Sequence, residues 1–162
     1  MLDPRSIFAD APPFEAELTD ELLALVEAEL GHRLPKAYVD LSRRHNGGYL
    51  ERTAHSSPVR TTWAADHVGV TALAAIGGTA PFSLTGDLGS SFWVTEWGYP
   101  DIGVYFAECP SAGHDMIALD YRQTGEPRVV HVDQEWEYRV TLLAPSFSSF
   151  IAGLRDESDF GN

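Results

Sequence analysis

Two apolar runs, residues 116–121 and 127–132, flank Thr124 and Gly125. Runs of strand length on either side of a glycine-containing turn commit this part of the chain to an antiparallel β-hairpin. With Thr124 and Gly125 as a two-residue loop, Ile117 falls opposite Val132 and Leu119 opposite Val130. Side-chain alternation then gathers these four on one face and turns Ala118, Asp120, His131 and Asp133 to the other. The same register sets His114 and Asp115 opposite Glu135 and Gln134. Residues 92–94 and 102–106 read as further strands around the turn-prone Trp97, Gly98, Tyr99 and Pro100.

Helical periods bracket this β-rich half. Leu18, Leu22, Val26 and Leu30 recur every four residues, with Thr19 as an N-cap, Asp20 and Glu21 in the first turn, and Gly31 as the stop. A second helix is expected from Pro35 through Ala37, Tyr38 and Leu41, ending at Asn46, Gly47 and Gly48. A third, opened by Ser146, carries Phe147, Phe150, Ile151 and Leu154. Residues 1–17, with Pro4, Pro12 and Pro13, read as an irregular lead-in, and the charged residues 155–162 as a frayed tail. Residues 68–76 suit a strand or a short buried helix equally, and 51–91 stay unassigned.

At 162 residues the chain is long enough for one domain with a core of its own. Acidic residues outnumber basic ones 24 to 11, giving a net charge of -13. A surface this negative repels phosphate backbones, so nucleic acid is excluded as an expected partner, whereas a cationic protein would be attracted. The charge is uneven. No Lys or Arg falls between 61 and 121, a stretch that holds Asp66, Asp87, Glu96, Asp101, Glu108, Asp115 and Asp120. The lone Cys109 suits a reducing compartment, and neither a signal peptide nor an apolar run of membrane-spanning length is visible, so a cytoplasmic location is expected.

No phosphate-binding glycine loop, nucleophile elbow or two-cysteine metal spacing occurs. Cys109 could act as a nucleophile only with His114 or His131 beside it, and a single cysteine is more often an inert buried hydrophobe. His114, Asp115, His131, Asp133 and Glu135 offer metal-binding chemistry without a recognised ligand spacing, and no metal, cofactor or catalytic residue is expected. Of the four tryptophans, Trp97 lies in a loop and is the best candidate for an exposed anchor.

Leu34, Pro35, Tyr38, Leu41 and Asn46-Gly47-Gly48 resemble the helical opening of the SUKH superfamily, which includes a yeast cell-wall assembly regulator and many bacterial immunity proteins. Ile102-Gly103, Gly113 through Asp120, Gly125, Pro127, Val129, Val130 and Asp133 are similar in the same order, as is the ending Leu143, Ala144, Ser146, Phe147, Phe150, Ile151. The resemblance spans about residues 19–154. It implies a single α+β domain, its N-terminal helices and C-terminal helix packed on a curved, mostly antiparallel sheet. It also implies a non-catalytic immunity protein that blocks a cognate toxin domain, often a nuclease, through the exposed sheet face and nearby loops. The expected contacts are Glu96, Trp97, Tyr99, Asp101, Glu108 and Asp120. A general scaffold module is the second reading, and a metal-dependent enzyme on His114, Asp115, His131 and Asp133 the third.

Overall fold

The structure, a computed structural model, describes residues 2–161. Helix α1 (Pro4–Ile7) is capped by Asp3, whose carboxylate accepts from the Arg5 amide. Helix α2 (Asp20–Leu30) has the expected Thr19 cap and ends on Gly31 in the left-handed conformation. Helix α3 (Lys36–Arg44) follows directly, with Pro35 as its N-cap. The short strands β1 (Gly48–Tyr49), β2 (Ala54–Ser56), β3 (His67–Gly69) and β4 (Ala72–Leu73) resolve the ambiguous middle region as β-structure. Then come α4 (Ser90–Thr95), β5 (Gly103–Glu108), β6 (Asp115–Asp120), β7 (Arg128–Asp133), β8 (Arg139–Ala144), α5 (Phe147–Ala152) and β9 (Leu154–Arg155).

Six strands form one antiparallel sheet in the order β1-β4-β5-β6-β7-β8, and β3-β2-β9 form a second, smaller one. The fold is α+β, as expected. Every residue of β6 is buried, as are five of the six in β7, so the middle of the main sheet is covered on both faces. Helices α3 and α5 meet on one side, where Tyr38 stacks on Phe147 and both rings approach Phe106. On the other side Tyr99 packs edge-on against Tyr105 and Tyr138. The middle of the main sheet therefore presents no exposed face for docking; side chains reach solvent at its edges, Tyr49 on β1 and Arg139 and Leu142 on β8.

The hairpin exists, but its register is one residue away from the expected one: Ile117 faces His131, Leu119 faces Val129, and Asp115 faces Asp133. The connection runs over residues 121–127 rather than through a two-residue loop. Because both faces are buried, an inside-outside alternation has nothing to select between the two registers. The consequence is chemical: Asp115, His131 and Asp133 share one face, with Ile117 between them.

Three other expectations change. Residues 92–94 lie in helix α4, not a strand: Gly89 caps the helix, Trp93 turns inward, and its indole donates to the Leu88 carbonyl. Local β-propensity yields here to tertiary packing. The lead-in is partly ordered, since α1 is followed by a bridge from Phe8 to Leu50. The tail is tied down as well: β9 pairs with β2, Glu157 bonds to His67, and Phe160 stacks on the same imidazole.

Asn46 joins the helical layer to the sheet. Its side chain is buried, donates to the Ala16 and Ile76 carbonyls at 3.2 and 3.1 Å, and accepts from the Ile76 amide at 2.8 Å. Gly47 beside it adopts φ +76°, and a Cβ there would lie 2.6 Å from the Ala75 nitrogen. Helix α3 stops before this pair, at Arg44, with the extended His45 as its C-cap; Gly47 instead lets two backbones touch.

Candidate functional site: the loop end of the main sheet

At one end of the main sheet three loops converge: residues 96–98 after α4, 109–114 between β5 and β6, and 134–138 between β7 and β8. Trp97 lies edge-on to His114, with ring centres 5.5 Å apart, and the His114 imidazole pairs with Glu135. The Tyr138 hydroxyl donates to the Trp97 carbonyl, and the Tyr99 hydroxyl donates to the Gly113 carbonyl. Gly113 packs under Trp93 and Trp97. These bonds hold three non-glycine residues, Ala112, Glu137 and Tyr138, in the left-handed region. Conformations of that kind cost free energy and persist only where surrounding contacts over-determine them.

The loop end is acidic and aromatic. Glu96 and Glu137 are exposed, Trp97 is half-buried, and Trp136 is exposed with the Arg139 guanidinium over its ring. Rigid aromatic rings beside carboxylates can anchor a cationic protein partner, because the rings supply contact area and the charges steer approach.

Of the six residues expected to contact a partner, Glu96 and Trp97 belong to this end. Tyr99 does not present a surface: it is 2% exposed, and burial pushes its hydroxyl pKa well up. Asp120 is likewise enclosed. Arg122 donates to both of its oxygens, at 3.0 and 2.9 Å, and Arg128 adds a third contact, so hydrogen bonding to Arg122 holds the carboxylate below its ordinary pKa. Asp120 therefore anchors the opposite end of the sheet. Asp101 is exposed but lies at that opposite end, two residues before Gly103, which pairs with Asp120. Glu108 is half-buried at the end of β5, and its burial raises the carboxyl pKa. The acidic stretch from 61 to 121 is thus not one face.

Sequence reading did not place Glu137 among the contacts, and it took Glu135 and Trp136 only as candidate metal-site or aromatic residues. The signal that would have found them is the β7–β8 connection, which required recognising β8 as a strand. Of the five residues weighed for metal chemistry, the fold separates His114 and Glu135, paired at the surface, from the buried Asp115, His131 and Asp133. Cys109 joins the buried group. Burial and the neighbouring Asp115 carboxylate push its thiol pKa well up, which opposes a nucleophilic role.

The chain is an α+β domain whose helices pack on an antiparallel sheet, with an acidic and aromatic loop end. The family model for the SMI1 / KNR4 family (SUKH-1) matches residues 17–153, and the chain belongs to that family. No curated protein matches it. No helix among the described residues is long and apolar enough to cross a membrane.

Proposed function

We propose that this chain is a non-catalytic, immunity-type protein that binds and neutralises a cognate, basic toxin domain. The toxin docks at the loop end of the main sheet. Family membership supports the protein-binding class, and the observation that carries the choice of surface is the convergence of Glu96, Trp97, Glu135, Trp136 and Glu137 on one braced end. An acidic partner presents carboxylates where a nuclease would grip phosphates, so it can occlude a nucleic-acid site by charge alone. Asp101 lies at the opposite end of the sheet, and Glu108 is half-buried where β5 enters the 109–114 loop; both contribute through the long-range field.

The test is calorimetric titration with basic nuclease-toxin domains, any encoded in a neighbouring reading frame first, at about 50 and about 200 mM salt, across which screening weakens charge-driven binding. Tight binding that weakens with salt is expected. A combined Glu96→Lys, Glu135→Lys, Glu137→Lys variant is expected to lose most of that affinity, and Trp136→Ala to lose at least roughly 30-fold if the indole is an anchor. Wild-type binding that survives the triple charge reversal would remove the loop end from the model. Absence of any binding would favour the scaffold reading.

A further inference from the structure

The corrected hairpin register creates a polar group inside the protein that the partner surface does not use. Asp115 and Asp133 face each other across β6 and β7, each 2% exposed. Two carboxylates directly opposite on adjacent strands repel, and burial sharpens the repulsion. Among the described residues no Lys or Arg forms an ion pair with either. Asp133 is held by the Thr62 amide at 3.0 Å and by the Thr62 hydroxyl at 2.8 Å. Asp115 accepts from Ser111 and contacts the His131 Nε2 at 2.7 Å. The other imidazole nitrogen, Nδ1, belongs to a fully buried side chain and has no hydrogen-bond partner.

Cys109 completes the group. One donor atom each from Cys109, Asp115 and His131 lie within 4.8 Å of one another, and all three residues are buried. A thiol, an imidazole and a carboxylate form a ligand set suited to zinc, and a divalent ion would supply positive charge beside two carboxylates that no Lys or Arg among the described residues pairs with. In a tetrahedral zinc site ligand atoms stand roughly 3.3–3.8 Å apart, a spacing that donors lying within 4.8 Å of one another reach by small side-chain shifts. Ser111, bonded to the second Asp115 oxygen, is a further oxygen donor at hand. Pro110, Ala112 and His114 are exposed in the loop that covers the group.

We propose that Cys109, Asp115 and His131 form a buried, structural zinc-binding site that clamps the end of β5 to β6 and β7. On binding, a sulfur–zinc bond forms as the S–H bond breaks, and the proton leaves to solvent. The site is independent of the toxin-binding reading, and its test requires no partner.

Untagged protein, stripped with chelator and dialysed, is titrated with zinc chloride against a chromophoric competitor, and separately with cobalt(II) chloride. One equivalent of zinc is expected to bind, with proton release, and the cobalt form should show a thiolate-to-metal charge-transfer band. Since Cys109 is the only cysteine, that band identifies the ligand even if every variant misfolds. Cys109→Ser, with its fold checked by circular dichroism, should lose the band and bind zinc at least roughly 100-fold more weakly, the upper end of what losing an outer-shell partner costs. His32→Ala, which removes an imidazole stacked on Tyr121 at the opposite end of the sheet, should leave zinc affinity and the cobalt band unchanged. Failure to take up one equivalent, cobalt uptake without the thiolate band, or undiminished zinc affinity in folded Cys109→Ser would each overturn the site.

Discussion

Replacing Asn46 by Ala tests how the helical layer is fastened to the sheet. The side chain makes three hydrogen bonds to main chain that lies 30 residues away on either side, at 3.2, 3.1 and 2.8 Å. Alanine removes one acceptor and two donations. The Ile76 amide, buried in a residue that is 0% exposed, loses the acceptor it uses, and an orphaned buried donor costs about 1–3 kcal/mol. Each lost donation to a carbonyl adds about 0.5–1.5 kcal/mol. The sum is about 2–6 kcal/mol, part of a total stability that in domains of this size is only about 5–15 kcal/mol. With a urea m-value of about 2 kcal/mol/M the unfolding midpoint should fall by about 1–3 M. Asn46→Asp, which keeps the acceptor and loses both donations, should be destabilised as well. Urea titrations followed by tryptophan fluorescence read all three proteins. A loss below about 1 kcal/mol for Asn46→Ala would show that water replaces these bonds and that the fastening argument is wrong.

Gly47→Ala should destabilise by about 2–5 kcal/mol, combining the left-handed backbone penalty with overpacking against Ala75. Gly31→Ala, at φ +74° in open space, carries only the backbone part, about 1–2 kcal/mol. Equal losses in thermal melts of the two would refute the close-approach reading. His67 is 5% exposed, and its nitrogens lie 2.8 Å from Asp66 and 2.6 Å from Glu157. Burial opposes its protonation, but the two carboxylates outweigh it and its pKa is raised above 6.5. The stabilisation is therefore complete below the ordinary histidine value and is lost as pH rises through the higher native one. Wild-type protein should lose more stability than His67→Gln between about pH 6 and about pH 8.5 in urea titrations, and a parallel response would remove His67 as the clasp of the tail.

Much of the fold is written locally. Helix α2 is legible because Thr19, the four-residue apolar spacing and Gly31 each act within a turn or two of themselves. The Ser146 cap of α5 and the strand pair β6 and β7 are legible for the same reason. What failed shares one cause. Phe92, Trp93 and Val94 carry β-propensity, yet Trp93 is drawn inward and its indole engages Leu88, so packing chose the helix. The tail looked free because its partner, His67, stands 90 residues away in the chain.

The candidate site divides along the same line. Composition alone gave the net charge of -13, from which repulsion of phosphate backbones is expected. Motifs in a fixed order along the chain, not composition, carried the resemblance that the family match bears out. Burial is not a local property, however, and it separated Tyr99 and Asp120, enclosed by Gly113 and by two arginines, from Glu96 and Trp97, which reach the surface. Register is not local either when both sheet faces are covered, because a slip by one residue then exposes no apolar side chain. Only the three-dimensional packing against the helices and loops on each side decided that Asp115, His131 and Asp133 share a face.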